Sequence, residues 1–97
     1  MNILVERITS ALREARRTKG LSQRQLAERV GITQAQISRI EKALVDPRLS
    51  TIVELGRSLE LELMLVPRQL VPTVRALERQ QAGDEAAPLY RLEEGND

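Results

Sequence analysis

The 97-residue chain has no cysteine and no histidine. Disulfides, thiolate nucleophiles, imidazole bases and the usual zinc-ligand sets are therefore excluded. Absence of cysteine also fits a reducing cytoplasm. Tyr90 is the one aromatic residue, so any core must be built from Leu, Ile, Val and Ala. No apolar run approaches the roughly 20 residues of a membrane span. The short apolar start is broken by Glu6 and Arg7, so no secretory signal is expected. There is no Gly-rich phosphate cradle, and Ser and Thr fall mainly at helix-cap positions without a base nearby. No enzyme activity, catalytic residue, cofactor or metal is expected. A domain this small has a small core, and burial against a second copy would add to its stability.

The net charge of +1 conceals an uneven distribution. Residues 1–60 carry 11 Lys/Arg against 7 Asp/Glu, whereas residues 61–97 carry 4 against 7. The basic half suits a polyanion, although the excess is modest.

Helical periodicity marks a first helix over residues 4–19. Leu4, Ile8, Leu12 and Ala15 form its apolar stripe, Ala11 widens it, and Glu6, Arg13, Arg17 and Lys19 lie opposite. Gly20 stops it. A second helix opens at Ser22-Gln23-Arg24-Gln25, a capping-box spacing, turns Leu26, Ala27 and Val30 inward, and ends at Gly31. Thr33 and Gln36 repeat the capping box at once, opening a third helix that runs to Glu41. Two short helices joined by a tight Gly-containing turn form a helix-turn-helix, the alternative being a generic helical hairpin.

The third helix has two faces. Ile37 and Ile40, three residues apart, anchor one side. Gln34, Ala35, Ser38 and Arg39 point the other way. Gln can pair bidentately with an adenine edge and Arg with a guanine edge, while an Ala methyl can touch a thymine methyl. This face suits the DNA major groove.

Residues 42–49 form a loop turned by Asp46-Pro47, with Leu44 and Leu49 expected to fold back onto the core. Lys42 and Arg48 either reach flanking phosphates or belong to a plain solvated loop. Ser50 is expected to cap a fourth helix over 51–60, with Ile52, Val53, Leu55 and Leu59 as its apolar set. Residues 61–66, Leu-Glu-Leu-Met-Leu-Val, either continue that helix or, with Leu61, Leu63 and Leu65 at period two, form a strand. A lone strand leaves its N–H and C=O groups unpaired, and the same strand from a second copy would satisfy them. Leu61, Leu63 and Leu65 would then be the dimerisation residues. Residues 68–81 hold Leu70, Val74 and Leu77 at helical spacing, giving a possible fifth helix from Pro72 to Gln81. Residues 82–97 read as a flexible acidic tail in which Leu89, Tyr90 and Leu92 form an apolar island. That island is either a frayed end or a segment that orders on a partner or marks the chain for proteolysis.

The pattern Ser22-Gln23-xx-Leu26-Ala27-xxx-Gly31-Ile32-Thr33-Gln34-xx-Ile37-Ser38-xx-Glu41 resembles the Cro/C1-type (XRE) helix-turn-helix family, over residues 7–60. The resemblance implies an all-α, lambda-repressor-like bundle of four helices. With the short strand added, the domain is expected to span residues 1–67. It implies base reading by Gln34, Ala35, Ser38 and Arg39, a phosphate contact by Thr33, and a Gln23 that contacts phosphate and braces the reading helix; Arg24, Gln36, Lys42 and Arg48 are the further candidate phosphate contacts. It also implies an ion pair between Arg16 and Glu41, the alternative being that Arg16 is a further basic surface contact. The Leu-Glu-Leu-x-Leu segment after the fourth helix is similar to the HipB-type antitoxins, which pair this domain with an intersubunit β-lid and bind a HipA-type serine/threonine kinase. The expectation is a cytoplasmic, nucleoid-associated homodimer that represses a palindromic operator and neutralises such a toxin. The alternative is a stand-alone phage-type or metabolic repressor without a toxin partner.

Overall fold

A computed structural model describes residues 3–86 and resolves two units, divided between Leu63 and Met64. In the first unit four helices run in order: α1 (Ile3–Thr18), α2 (Gln23–Val30), α3 (Gln34–Glu41) and α4 (Leu49–Ser58). The second contains a short 3-10 turn, Arg68–Leu70, and α5 (Val71–Ala86). The structure is all-helical among the described residues.

All four helices of the first unit end in the same way. Gly20 (φ +70°), Gly31 (+76°), Ala43 (+56°) and Glu60 (+60°) adopt the left-handed conformation. After each, an N–H donates back to a carbonyl five residues earlier: Leu21 to Arg16, Ile32 to Ala27, Leu44 to Arg39 and Leu61 to Gly56, at 2.7–3.1 Å. These bonds satisfy carbonyls that a helix end otherwise leaves open.

The core is wholly aliphatic. Leu12, Leu26, Ala27, Ile37, Ile40, Ile52, Leu55 and Leu59 are buried, with Ala15, Leu21, Val30 and Ile32 packed around them. Along α1 the buried positions are Thr9, Leu12 and Arg16; of the expected stripe Leu12 is buried and Ala15 packs on the core, whereas Leu4, Ile8 and the flanking Ala11 are exposed. α1 is rotated so that Arg16 faces the end of α3. Thr9 can be buried because its Oγ1 donates to the Glu6 carbonyl at 3.1 Å, which satisfies the hydroxyl within the helix.

Three further expectations need correction. Ser50 is not the cap of α4; the helix begins at Leu49, Arg48 occupies the cap without a side-chain hydrogen bond, and Ser50 lies in the first turn. Leu44 and Leu49 remain on the surface, because Ile52, Leu55 and Leu59 already close the core. α5 continues to Ala86, past Gln81, so residues 82–86 of the expected tail are helical. Ala82, Glu85 and Ala86 are good helix formers and carry the helix past Gly83. Leu89, Tyr90 and Leu92 lie outside the described residues.

Residues 61–67 have no helix, turn or bridge assigned, which excludes continuation of the fourth helix through them. Leu61 and Leu63 are more than a third exposed and Leu65 is fully exposed. In the second unit, Leu70, Val74 and Leu77 lie on the surface.

Candidate nucleic-acid interface

Both capping boxes form. Ser22 Oγ accepts from Gln25 N at 3.0 Å, while Gln25 Oε1 accepts from Ser22 N at 2.8 Å. At the next helix Thr33 Oγ1 accepts from Gln36 N at 3.1 Å, and Gln36 Oε1 accepts from Thr33 N at 2.8 Å. Reciprocal capping fixes where α3 begins, and hence which residues lie on its outer face. The Thr33 hydroxyl also donates to Gln36 Oε1 at 3.2 Å. With its oxygen committed to the cap, the Gln36 amide has its NH2 available as donors.

Ile37 and Ile40 are buried beneath α3. Gln34, Ala35 and Arg39 are exposed and Ser38 is half-exposed. Arg39 Nε donates to the Ala35 carbonyl at 3.4 Å, a long bond that lays the guanidinium along its own helix. Gln36, Arg39 and Arg48 meet around one groove of about 340 Å³, floored by Ile32, Ile40, Val45 and Pro47. Arg24 and Lys42 are exposed, near the start of α2 and at the end of α3 respectively.

Behind this face lies a buried polar node. Arg16 grips Glu41 in a fork: Nε donates to Oε2 at 2.6 Å and Nη2 to Oε1 at 2.9 Å. Arg16 Nη1 also donates to the Leu21 carbonyl at 2.8 Å. Glu41 Oε1 accepts a third bond, from Gln23 Nε2 at 3.0 Å. Both charged residues are over nine-tenths buried. Burial is the largest influence on the Glu41 carboxyl and pushes its pKa up. The hydrogen bonds from Arg16 and Gln23, with the charges of Arg16 and Arg13, outweigh burial and hold the pKa below the ordinary value. The Glu41 hydrogen bond is the largest influence on Arg16, and its pKa is raised.

The node contains one residue whose place the sequence did not suggest. Arg13, assigned by periodicity to the solvent side of α1, is half-buried, and its Nε is shielded without a hydrogen-bond partner. Its charge helps keep Glu41 ionised. The available signal was its position three residues before Arg16, on the same side of the helix. On the opposite edge, Lys19 Nζ pairs with Glu60 Oε1 at 2.5 Å, tying the end of α1 to the end of α4.

Residues 12–65 match the helix-turn-helix family, and the chain belongs to it. That helix-turn-helix is of the XRE type. The chain is 44% identical over 70 residues to the uncharacterised HTH-type transcriptional regulator y4dL of Sinorhizobium fredii, covering 72% of this chain and 36% of that protein. It is 41% identical over 69 residues to antitoxin HigA1 of Mycobacterium tuberculosis, covering 71% and 45% respectively. The chain thus spans less than half the length of either relative. Among solved structures, a chain of a HipA-HipB-O2-O3 complex superposes with a TM-score of 0.60 at 31% identity, over 66% of this chain and 90% of that one. No helix among the described residues is long and apolar enough to cross a membrane.

Proposed function

We propose that the protein is a dimeric repressor that reads a palindromic operator, and that it serves as the antitoxin of a HipBA-like module, autoregulating its operon and binding a HipA-type serine/threonine kinase. The observation that carries the DNA reading is the helix-turn-helix with Gln34, Ala35, Ser38 and Arg39 presented on the outer side of α3. Those four residues read base edges. Gln23, Arg24, Thr33, Gln36, Lys42 and Arg48 hold phosphates, with Gln36 donating through its NH2 and Thr33 bracing it. Phosphate contacts supply the salt-dependent part of the affinity and the α3 face supplies sequence. Leu61, Leu63 and Leu65 join two copies, placing the two α3 helices about 34 Å apart, one turn of the duplex.

The antitoxin assignment is supported by the likeness to HigA1 and to a chain of a HipA-HipB complex. The role is one of binding in the cytoplasm, without chemistry. Similarity to y4dL, a transcriptional regulator, favours a second reading in which the protein represses without a toxin partner.

Selection of random duplexes with the purified protein should recover a two-fold symmetric site. Against that site, Gln34→Ala should lose about 1–3 kcal/mol and relax preference at one base pair of each half. Unchanged affinity and preference would remove Gln34 from the reading face. Co-expression with a kinase encoded beside the gene separates the two roles: a retained complex supports the antitoxin, and a repressor that binds its operator but no kinase supports the second reading.

A further inference from the structure

Glu41 makes two kinds of bond, and only one of them belongs to an ion pair. Arg16 takes both carboxylate oxygens, yet Oε1 also accepts from Gln23 Nε2 at 3.0 Å. An ionised carboxylate accepts only, so the Gln23 amide must turn its nitrogen towards Glu41. That contact spends one N–H and leaves the second. Gln23 is the first residue of α2, and Glu41 the last of α3.

We propose that Glu41 is a positioning residue for the phosphate anchor: its carboxylate fixes the Gln23 amide so that one N–H is held by the protein and the other is presented to a phosphate oxygen. This rests on the proposed phosphate role of Gln23. Without Glu41, the amide is free to rotate and to turn its carbonyl oxygen, which an anion repels, towards the DNA. Arg16 acts one step further back, holding the carboxylate through its fork. The node therefore locks the phosphate anchor on α2 to the end of the base-reading helix, setting the register between the two kinds of contact.

The Gln23 side-chain amide protons of the wild-type protein test both steps. In the free protein one proton should be displaced in chemical shift and slowed in exchange relative to an unbound glutamine. Addition of operator duplex should then move the other. If neither proton differs from free glutamine before DNA is added, the positioning role is overturned. If the first is displaced and the second ignores DNA, the phosphate reading of Gln23 fails instead.

A mutant cycle gives the energetic counterpart. Gln23→Ala should weaken operator binding about tenfold, as for loss of a hydrogen bond to a charged group. In an Arg16→Met/Glu41→Met background the same substitution should change affinity less than twofold, because the anchor is already lost. The slope of log affinity against log salt should be unchanged throughout, since Gln23 is neutral and releases no counterion. A full tenfold effect of Gln23→Ala in that background, or a reduced salt slope indicating displaced arginines, would refute positioning by Glu41.

Discussion

Replacing Glu41 by Ala should be far more damaging than removing Arg16 and Glu41 together. Arg16 is 8% exposed and Glu41 6%, and the fork between them is formed by bonds of 2.6 and 2.9 Å. Glu41→Ala leaves a guanidinium in the core with its Leu21 carbonyl contact and no counter-charge. Stranding one member of a buried pair costs about 3–5 kcal/mol. At about 0.05–0.15 kcal/mol per residue, a four-helix unit of this size holds only about 3–9 kcal/mol in total. The single variant should therefore be largely unfolded at ambient temperature, or have its urea midpoint lowered by about 2 M. Arg16→Met/Glu41→Met fills the same volume with apolar groups and removes both desolvation costs, so it should lie within about 1 kcal/mol of the wild type or above it. Urea unfolding followed by circular dichroism, at one fixed protein concentration because dimerisation would add to stability, reads both. If the single and double variants are equally destabilised, the two residues do not act as a buried charge couple.

The pH dependence follows from the same pair. The folded Glu41 pKa is depressed, so its stabilisation is fully present above the ordinary carboxylate pKa and is lost as pH falls through the lower folded value. Acid unfolding of Arg16→Met/Glu41→Met should lack that component, as measured by stability across pH 2–5. Thr33→Ala removes the cap of α3 and should cost about 1 kcal/mol in thermal melts. Gly31→Ala should cost about 1–2 kcal/mol purely through backbone strain, since φ is +76° and nothing lies within 4 Å of the added Cβ. Ala43→Gly relieves the same strain at φ +56° and should be neutral or stabilise by up to about 1 kcal/mol; clear destabilisation would argue against a left-handed Ala43. Deleting residues 61–66 should convert dimers to monomers or aggregates in sedimentation, and intact dimers would reject the shared strand.

Where local rules act alone, the sequence was legible. Both capping boxes and the glycine stops at Gly20 and Gly31 depend on residue types with few alternatives, and they form as read. The other two stops were not legible, because Ala43 and Glu60 carry no left-handed preference; the following chain imposes it. The register of α1 was misread because periodicity counts hydrophobes. Leu4 and Ile8 have the spacing of a core stripe, yet partnering Arg16 with Glu41 rotates α1 and brings Thr9 inward. A hydrophobicity pattern gives no weight to a buried charge pair, so it also placed Arg13 on the wrong side. The outer face of α3 was legible because Ile37 and Ile40 fix what lies opposite. The Gln23–Glu41 contact joins residues 18 apart and had no local signal.

Two features left unmet within one chain would both be met by pairing with a second copy. Val5, Ile8, Pro47, Leu49, Ile52 and Leu63 line a groove of about 160 Å³ in which Leu49 is 69% exposed. Leu61 N–H is committed to the Gly56 carbonyl and the Pro67 carbonyl to Leu70 N–H, but residues 62–66 between them have no bridge to another segment among the described residues. A second copy carries the same alternating segment, and a two-fold axis brings the two antiparallel. Backbone pairing and apolar burial would then be satisfied by one symmetric contact, and that symmetry is what a palindromic operator requires.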